Sequence, residues 1–117
     1  MAALTVQTTP HSTGLNPVAM TTGLGGTTGN TAPAGNGIGL MLVNSAAATV
    51  LITVHVPAAT TVDGLAISNR VITLPATIGA VTIISLAPPN PYADPVTGLV
   101  TFDVAAGTVS GAVIDIT

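Results

Sequence analysis

Alternation of apolar and polar residues, the pattern of a half-buried β-strand, recurs through much of this chain. In residues 49–56 apolar side chains occupy every second position, and His55 lies on the opposite face. Residues 99–104 repeat the alternation around Phe102 and place Asp103 on the polar face. Residues 38–44 form a continuous apolar run, which is typical of a strand covered on both faces.

About seven short strands follow from these patterns. They cover residues 4–8, 38–44, 49–56, 70–74, 80–86, 99–104 and 109–116. Turn residues separate the strands at the intervals of a β-sandwich or jelly roll, and no segment has a helical apolar stripe. We therefore expect a single all-β domain, residues 1–117, built from antiparallel strands.

Two turns predict which strands pair. The small residues 44–48 predict a hairpin between the two strands that flank them. The turn at residues 105–108 predicts the same pairing for the last two strands. The last strand places Ala112, Ile114 and Ile116 on one face and Asp115 on the other.

Residues 9–37 have a different composition, rich in Gly, Thr, Asn and Pro. The stretch TTGLGGTTGNTAPAGNG at residues 21–37 is of low complexity and offers little apolar surface to bury. A structureless loop of this length is uncommon inside a compact domain. We therefore expect either a mobile loop or an arm that lies along a partner, with Thr27, Asn30 and Asn36 as candidate contact residues.

Charged residues make up only 4% of the chain, against about a quarter in soluble domains. The mean hydropathy of +0.77 raises the possibility of a membrane span, for which residues 38–59 are the best candidate. Polar side chains and Pro57 interrupt that segment, and no Lys or Arg flanks it. The start of the chain also lacks the basic and apolar regions of a signal peptide. We expect no membrane partner, and a protein that packs against other protein.

The titratable residues are too few and too scattered for most chemistry. A single Arg argues against nucleic-acid binding, and the chain has no Cys and no His pair at metal-ligand spacing. Asp94 lies in a turn, where Asp caps its own backbone. We expect no enzyme activity, cofactor or metal. His55 is then a packed or sheet-face histidine, while Asp103 and Asp115 are solvated or one of them pairs with Arg70.

The proline-rich loop at residues 87–98 is the most distinctive local feature. Its prolines restrict the backbone and so lower the entropy cost of presenting side chains to a partner. Tyr92, the only Tyr, is of the type that anchors interfaces. Two interpretations stay open: an interface loop that presents Asn90, Pro91, Tyr92 and Asp94, or a rigid crossover whose Tyr caps the sandwich.

Two segments carry a resemblance to known proteins. ATTVDGLAISNRVITLPA (residues 59–76) contains a V-D-G-L-A turn and a strand that ends at Pro. APPNPYADPVTGLVTFDV (residues 87–104) contains a P-P-x-x-Y-x-D-P loop followed by a G-x-V-T strand. With the opening LTVQTTPHSTGLNP, they resemble a group of small β-rich virion proteins of tailed bacteriophages, especially those that infect actinobacteria. Residues 21–41 and the final AVIDIT depart from the shared pattern.

Some members of this group resemble capsid decoration, or cement, proteins. The resemblance implies a protein that binds the major capsid protein on the outer surface of the virion, bridges capsid subunits and forms trimers or similar clusters. Two alternatives stay open. One is another virion structural subunit, of the tail or the head–tail junction, and the other is a secreted sugar-binding β-sandwich module.

Overall fold

A computed structural model describes residues 2–8, 19–57, 61–62, 65–87 and 91–115 of the chain. These residues form ten strands and no helix. The strands are β1 (Val6–Thr8), β2 (Asn30–Pro33), β3 (Ile38–Asn44), β4 (Val50–Val54), β5 (Thr61–Val62), β6 (Leu65–Ala66), β7 (Arg70–Leu74), β8 (Ala80–Ser85), β9 (Leu99–Val104) and β10 (Val109–Asp115). The all-β prediction is confirmed, and β3, β7 and β9 have the predicted bounds.

Eight of these strands form two four-stranded sheets. Sheet I has the order β1-β10-β3-β8, and sheet II has the order β2-β9-β4-β7. Strands β5 and β6 pair only with each other. Neighbouring strands are antiparallel, except that β1 and β10 are parallel. The two sheets pack face to face, an arrangement compatible with a β-sandwich.

Both predicted pairings of consecutive strands are wrong. Strands β3 and β4 lie in different sheets, and so do β9 and β10. The buried Asn44 side chain holds the first connection in place, because its Nδ2 donates to the Ala48 carbonyl (2.7 Å) and to the Pro75 carbonyl at the end of β7 (2.9 Å). Short turns of small residues thus carry the chain across the sandwich rather than back along the same sheet.

The core lies between the inward faces of the two sheets. Phe102 is the largest fully buried side chain, and the predicted alternation of β4 and β9 is confirmed. Sheet II contributes Val50, Ile52, Val54, Leu74, Val100, Phe102 and Val104 to the core, and sheet I contributes Leu40, Leu42, Ile84, Val109 and Val113. In β4 and β9 the apolar alternate positions therefore form the inward face.

The face of strand β10 that packs on the core is not the face on which the sequence pattern places Ala112 and Ile114. Val113 belongs to the core, whereas Ala112 and Ile114 occupy the alternate, outward positions. The inward position between Val109 and Val113 is Gly111, where a Cβ atom would lie only 2.8 Å from Leu24 Cδ1. Leu24 thus fills the space that a larger residue would occupy in β10.

Residues 19–37 are part of the sandwich, so the prediction of a mobile loop is wrong for them, and the predicted arm along a partner is not confirmed. Leu24 is 1% exposed, and β2 forms the edge of sheet II beside β9. Gly25 packs so closely on the Gly107 backbone that an added Cβ would stand 1.7 Å from the carbonyl oxygen of Gly107. Residues 9–18, the remainder of the predicted arm, lie outside the described residues.

The N-terminal residues close one side of the sandwich. Thr31 of β2 exchanges backbone hydrogen bonds with Ala2 and Leu4, at 2.8 and 2.9 Å. A few residues later, β1 pairs with β10 of the other sheet. The opposite side, formed by the edge strands β7 and β8, has no such strap among the described residues, and we call it the open side.

A Leu24→Ala substitution tests whether residues 19–37 are integral to the fold. We expect a loss of about 3 kcal/mol in the free energy of unfolding, because the change leaves a cavity between the sheets. Leu65→Ala is the matched control, since Leu65 is 71% exposed and should cost less than about 0.5 kcal/mol. Chemical denaturation of both variants measures this, and equal, small effects would contradict the fold described.

Candidate functional site

A short hydrogen-bonded pair, His55 and Asp103, lies on the outward face of sheet II. His55 Nε2 lies 2.6 Å from Asp103 Oδ2. The sheet itself sets this distance: Thr53 of β4 is opposite Asp103 of β9, and the His55 amide donates to the Thr101 carbonyl at 2.9 Å. The two side chains are therefore diagonal neighbours across adjacent strands.

The neighbouring hydrogen bonds define the tautomer of His55. Asn69 Oδ1 accepts from the Val56 amide at 2.9 Å, which leaves the Asn69 amide nitrogen facing His55 Nδ1 at 3.3 Å. Nδ1 accordingly accepts, and Nε2 carries the proton that is donated to the Asp103 carboxylate. Both ring nitrogens of His55 therefore have hydrogen-bond partners.

Hydrogen bonding lowers the pKa of Asp103 from its ordinary value of 3.8. The larger cause is the Gly29 amide, which donates to Asp103 Oδ1 at 2.8 Å. The hydrogen bond from His55 lowers the pKa further, whereas partial burial opposes the shift. The expectation of a simply solvated Asp103, or of its pairing with Arg70, is therefore wrong, since its partners are Gly29 and His55.

A shallow groove lies beside this pair, at the end of the sandwich where the proline-rich loop meets β9. It has a volume of about 170 Å³, and its lining includes His55, Tyr92, Asp94 and Thr101. Ligand pockets usually measure about 300–1,000 Å³. The groove is too small to enclose such a ligand, and the described residues contain no cluster of three His, Cys, Asp or Glu side chains that could hold a metal ion.

The structure gathers part of the predicted contact loop at this end of the sandwich. Tyr92 is partly buried and packs against the core, as in the interpretation of a capping tyrosine. Asp94 Oδ1 accepts from the Val96 amide at 2.8 Å, so its predicted role as a backbone cap is confirmed. Pro91 is half-buried and Asn36 is exposed in the turn before β3. Asn90 lies outside the described residues.

Thr27 and Asn30 do not belong to that cluster. Asn30 is fully buried, and its Oδ1 accepts from the Ala2 amide at 2.9 Å while its Nδ2 donates to Thr27 Oγ1, also at 2.9 Å. Thr27 Oγ1 in turn donates to the Leu24 carbonyl at 2.5 Å. Asn30 joins the N-terminal segment to β2 and Thr27 bonds to Asn30, so the contacts of both side chains are internal to the fold.

Exposed apolar side chains form the more extensive surface feature. In the described part of the chain, the exposed large apolar residues are Leu51, Leu65, Val71, Ile78, Val81, Ile83 and Val96. Four of these lie on β7, on β8 or in the turn between them, that is, on the open side. Arg70 is the only charged residue within residues 70–85. The sequence did not single out this surface, because alternation alone does not tell which face of an edge strand is covered.

Comparisons with protein-family models, with curated proteins and with solved structures found no match to this chain. Among the described residues no helix is long and apolar enough to cross a membrane, and the candidate span at residues 38–59 contains β3 and β4. What bears on function in the described residues is therefore the exposed apolar surface itself.

Acid titration tests the role of Asp103. A carboxyl whose pKa is lowered by folding contributes stability that is present above its unfolded value of 3.8 and is lost as the pH falls through the folded value. We expect Asp103→Asn to remove about 1 kcal/mol at neutral pH, and to flatten the decline in stability below about pH 5. Denaturant midpoints measured against pH give both quantities.

His55→Gln is the comparison variant, since the Gly29 amide is the larger cause of the shift. This variant should keep most of the acid dependence that Asp103→Asn loses. If the wild type and Asp103→Asn lost stability equally below about pH 5, the lowered pKa of Asp103 would be contradicted.

Proposed function

We propose that this protein is a non-enzymatic structural subunit of a bacteriophage virion, which binds the outer surface of the capsid and stabilises the shell. The observation that carries the proposal is that large apolar side chains occupy exposed positions on both sheets of a chain with very few charges. Such a surface is unfavourable in water and favours contact with other protein. The choice of a virion as the location is supported by residues 59–76 and 87–104, which resemble segments of virion proteins.

The outward face of sheet II is the surface that we assign to the capsid. It presents the threonines Thr31, Thr53, Thr73 and Thr101, with Leu51 and Val71 between them. Asp103, the charged side chain of β9 on this face, is paired with His55. Threonine hydroxyls bond to a partner's backbone without the desolvation cost of charges, and covering a half-exposed Leu or Val contributes about 1 kcal/mol.

The proposed mechanism is additive. Each copy contacts adjacent subunits of the major capsid protein and so adds association free energy across their boundary. Self-association into trimers or similar clusters, which the resemblance implies, would multiply the effect by avidity. The strand order of the two sheets also supports a jelly-roll-like topology, although the parallel pairing of β1 with β10 is not that of regular antiparallel sheets.

Purified virions provide the test of location. We expect the protein to co-purify with particles at a fixed ratio to the major capsid protein, and antibody labelling or a particle reconstruction to place it on the head. Density confined to the tail or the head–tail junction would overturn the decoration role and favour the alternative structural subunit. Absence from virions would overturn the proposal as a whole.

Salt dependence tests the proposed chemistry of binding. Because few charges are available for the contact, we expect particle occupancy to change by less than about twofold between low salt and about 1 M NaCl. Sedimentation of particles with added protein measures the occupancy. Release of the protein by moderate salt would contradict a contact made by apolar and threonine side chains.

A further inference from the structure

We propose that β8 is a self-association strand, which pairs antiparallel with β8 of a second copy and joins the two sheets I into one continuous sheet. The inference rests on the proposed function only in its expectation of self-association. Among the residues that the structure describes, this strand lies at the edge of sheet I and pairs only with β3. An edge of this kind presents backbone donors and acceptors to a further strand.

The register of β8 against β3 identifies which backbone groups face the free edge. The Leu86 amide donates to the Ile38 carbonyl at 2.9 Å, so these opposite residues are a hydrogen-bonded pair. Hydrogen-bonded pairs alternate along antiparallel strands. Thr82 and Ile84 therefore bond to β3, whereas the N–H and C=O groups of Val81, Ile83 and Ser85 point away from it.

These groups are self-complementary in one two-fold register. With Ile83 opposite Ile83 of the second copy, Val81 stands opposite Ser85, and every outward N–H and C=O of these residues finds a partner. A shift of the register by two residues leaves some of the backbone N–H and C=O groups at the free edge unpaired. A shift by one residue would place the solvent-facing side chains of one copy next to the core-facing side chains of the other. The arrangement therefore specifies one pairing.

The side chains on the outward face fit the same register. Val81 is 53% exposed and Ile83 is 61% exposed. An apolar groove of about 250 Å³ lies next to them, lined by residues that include Ile38, Gly39, Ile83 and Ser85. The register places Val81 of the second copy across from Ser85, beside this groove. Both copies make the same contact, as a two-fold interface requires.

The charge distribution favours a second copy as the occupant. Residues 80–85 contain no charge, so the two strands themselves bring no like charges together despite the net charge of −3. Natural edge strands are commonly protected by charges, proline or bulges, and β8 has no charge and no proline. A two-fold contact predicts a dimer, a symmetric cluster of the general kind that the resemblance implies, as the basic unit.

Single-cysteine variants test the register, since the chain has no cysteine of its own. In a hydrogen-bonded pair the Cα atoms are about 5.5 Å apart, which suits a disulfide. We expect Ile83→Cys to form a disulfide-linked dimer under mild oxidation. Val81→Cys is the control, because the two Val81 residues would be about 13 Å apart along the strands. Equal cross-linking of both variants, or preferential cross-linking of Val81→Cys, would overturn the proposal.

Solution mass completes the test with purified protein alone. We expect a dimer by light scattering, and Ile83→Lys should raise the dimer dissociation constant about tenfold or more while the circular dichroism spectrum is unchanged. Val96→Lys is the matched control, because Val96 is 91% exposed and lies in the turn before β9 rather than on β8. A monomeric wild-type chain at all concentrations, or equal effects of the two lysines, would overturn the proposal. Neither the cross-linking nor the light-scattering result depends on binding to capsids. These experiments can therefore overturn the β8 pairing without overturning the proposed function, and the virion experiments can do the reverse.

Discussion

The packing of the two inward faces around Phe102 is the constraint on which the rest of the structure depends. Most consecutive strands of the two large sheets lie in different sheets. Most connections therefore pass from one sheet to the other and hold the two sheets together. Residues that look expendable become structural in this arrangement, such as Leu24 against Gly111 and Asn44 beneath the connection to β4. The buried amides of Asn30 and Asn44 are both hydrogen-bonded, so the core contains polar groups without the cost of leaving them unsatisfied.

The two sides of the sandwich differ, and this difference connects the fold to the proposed assembly. On one side, residues 2–8 pair first with sheet II and then with sheet I. On the open side, β7 and β8 leave edge backbone and the exposed side chains of Val71, Val81 and Ile83. A chain with so few charges does little to protect such an edge by repulsion, and the proposed assembly would cover it.

Alternation in the sequence was enough to predict the strands β3, β7 and β9 and the inward face of β4. Pairing could not be predicted in the same way, because residues 44–48 suit a hairpin and a crossover between sheets equally well. Strand β2 was missed because its few apolar residues gain their burial from distant partners such as β9. The pairing of His55 with Asp103 depends on the adjacency of β4 and β9, which residue types alone do not reveal.

Amide hydrogen exchange along β8, measured at increasing protein concentration, tests the central claim that the open side is an assembly surface. Thr82 and Ile84 should exchange slowly at every concentration, because their amides bond to β3. Val81, Ile83 and Ser85 should exchange rapidly in dilute protein and become protected as copies associate. Rapid exchange of these three amides at the highest concentration, or protection that is already complete in dilute monomer, would contradict the account.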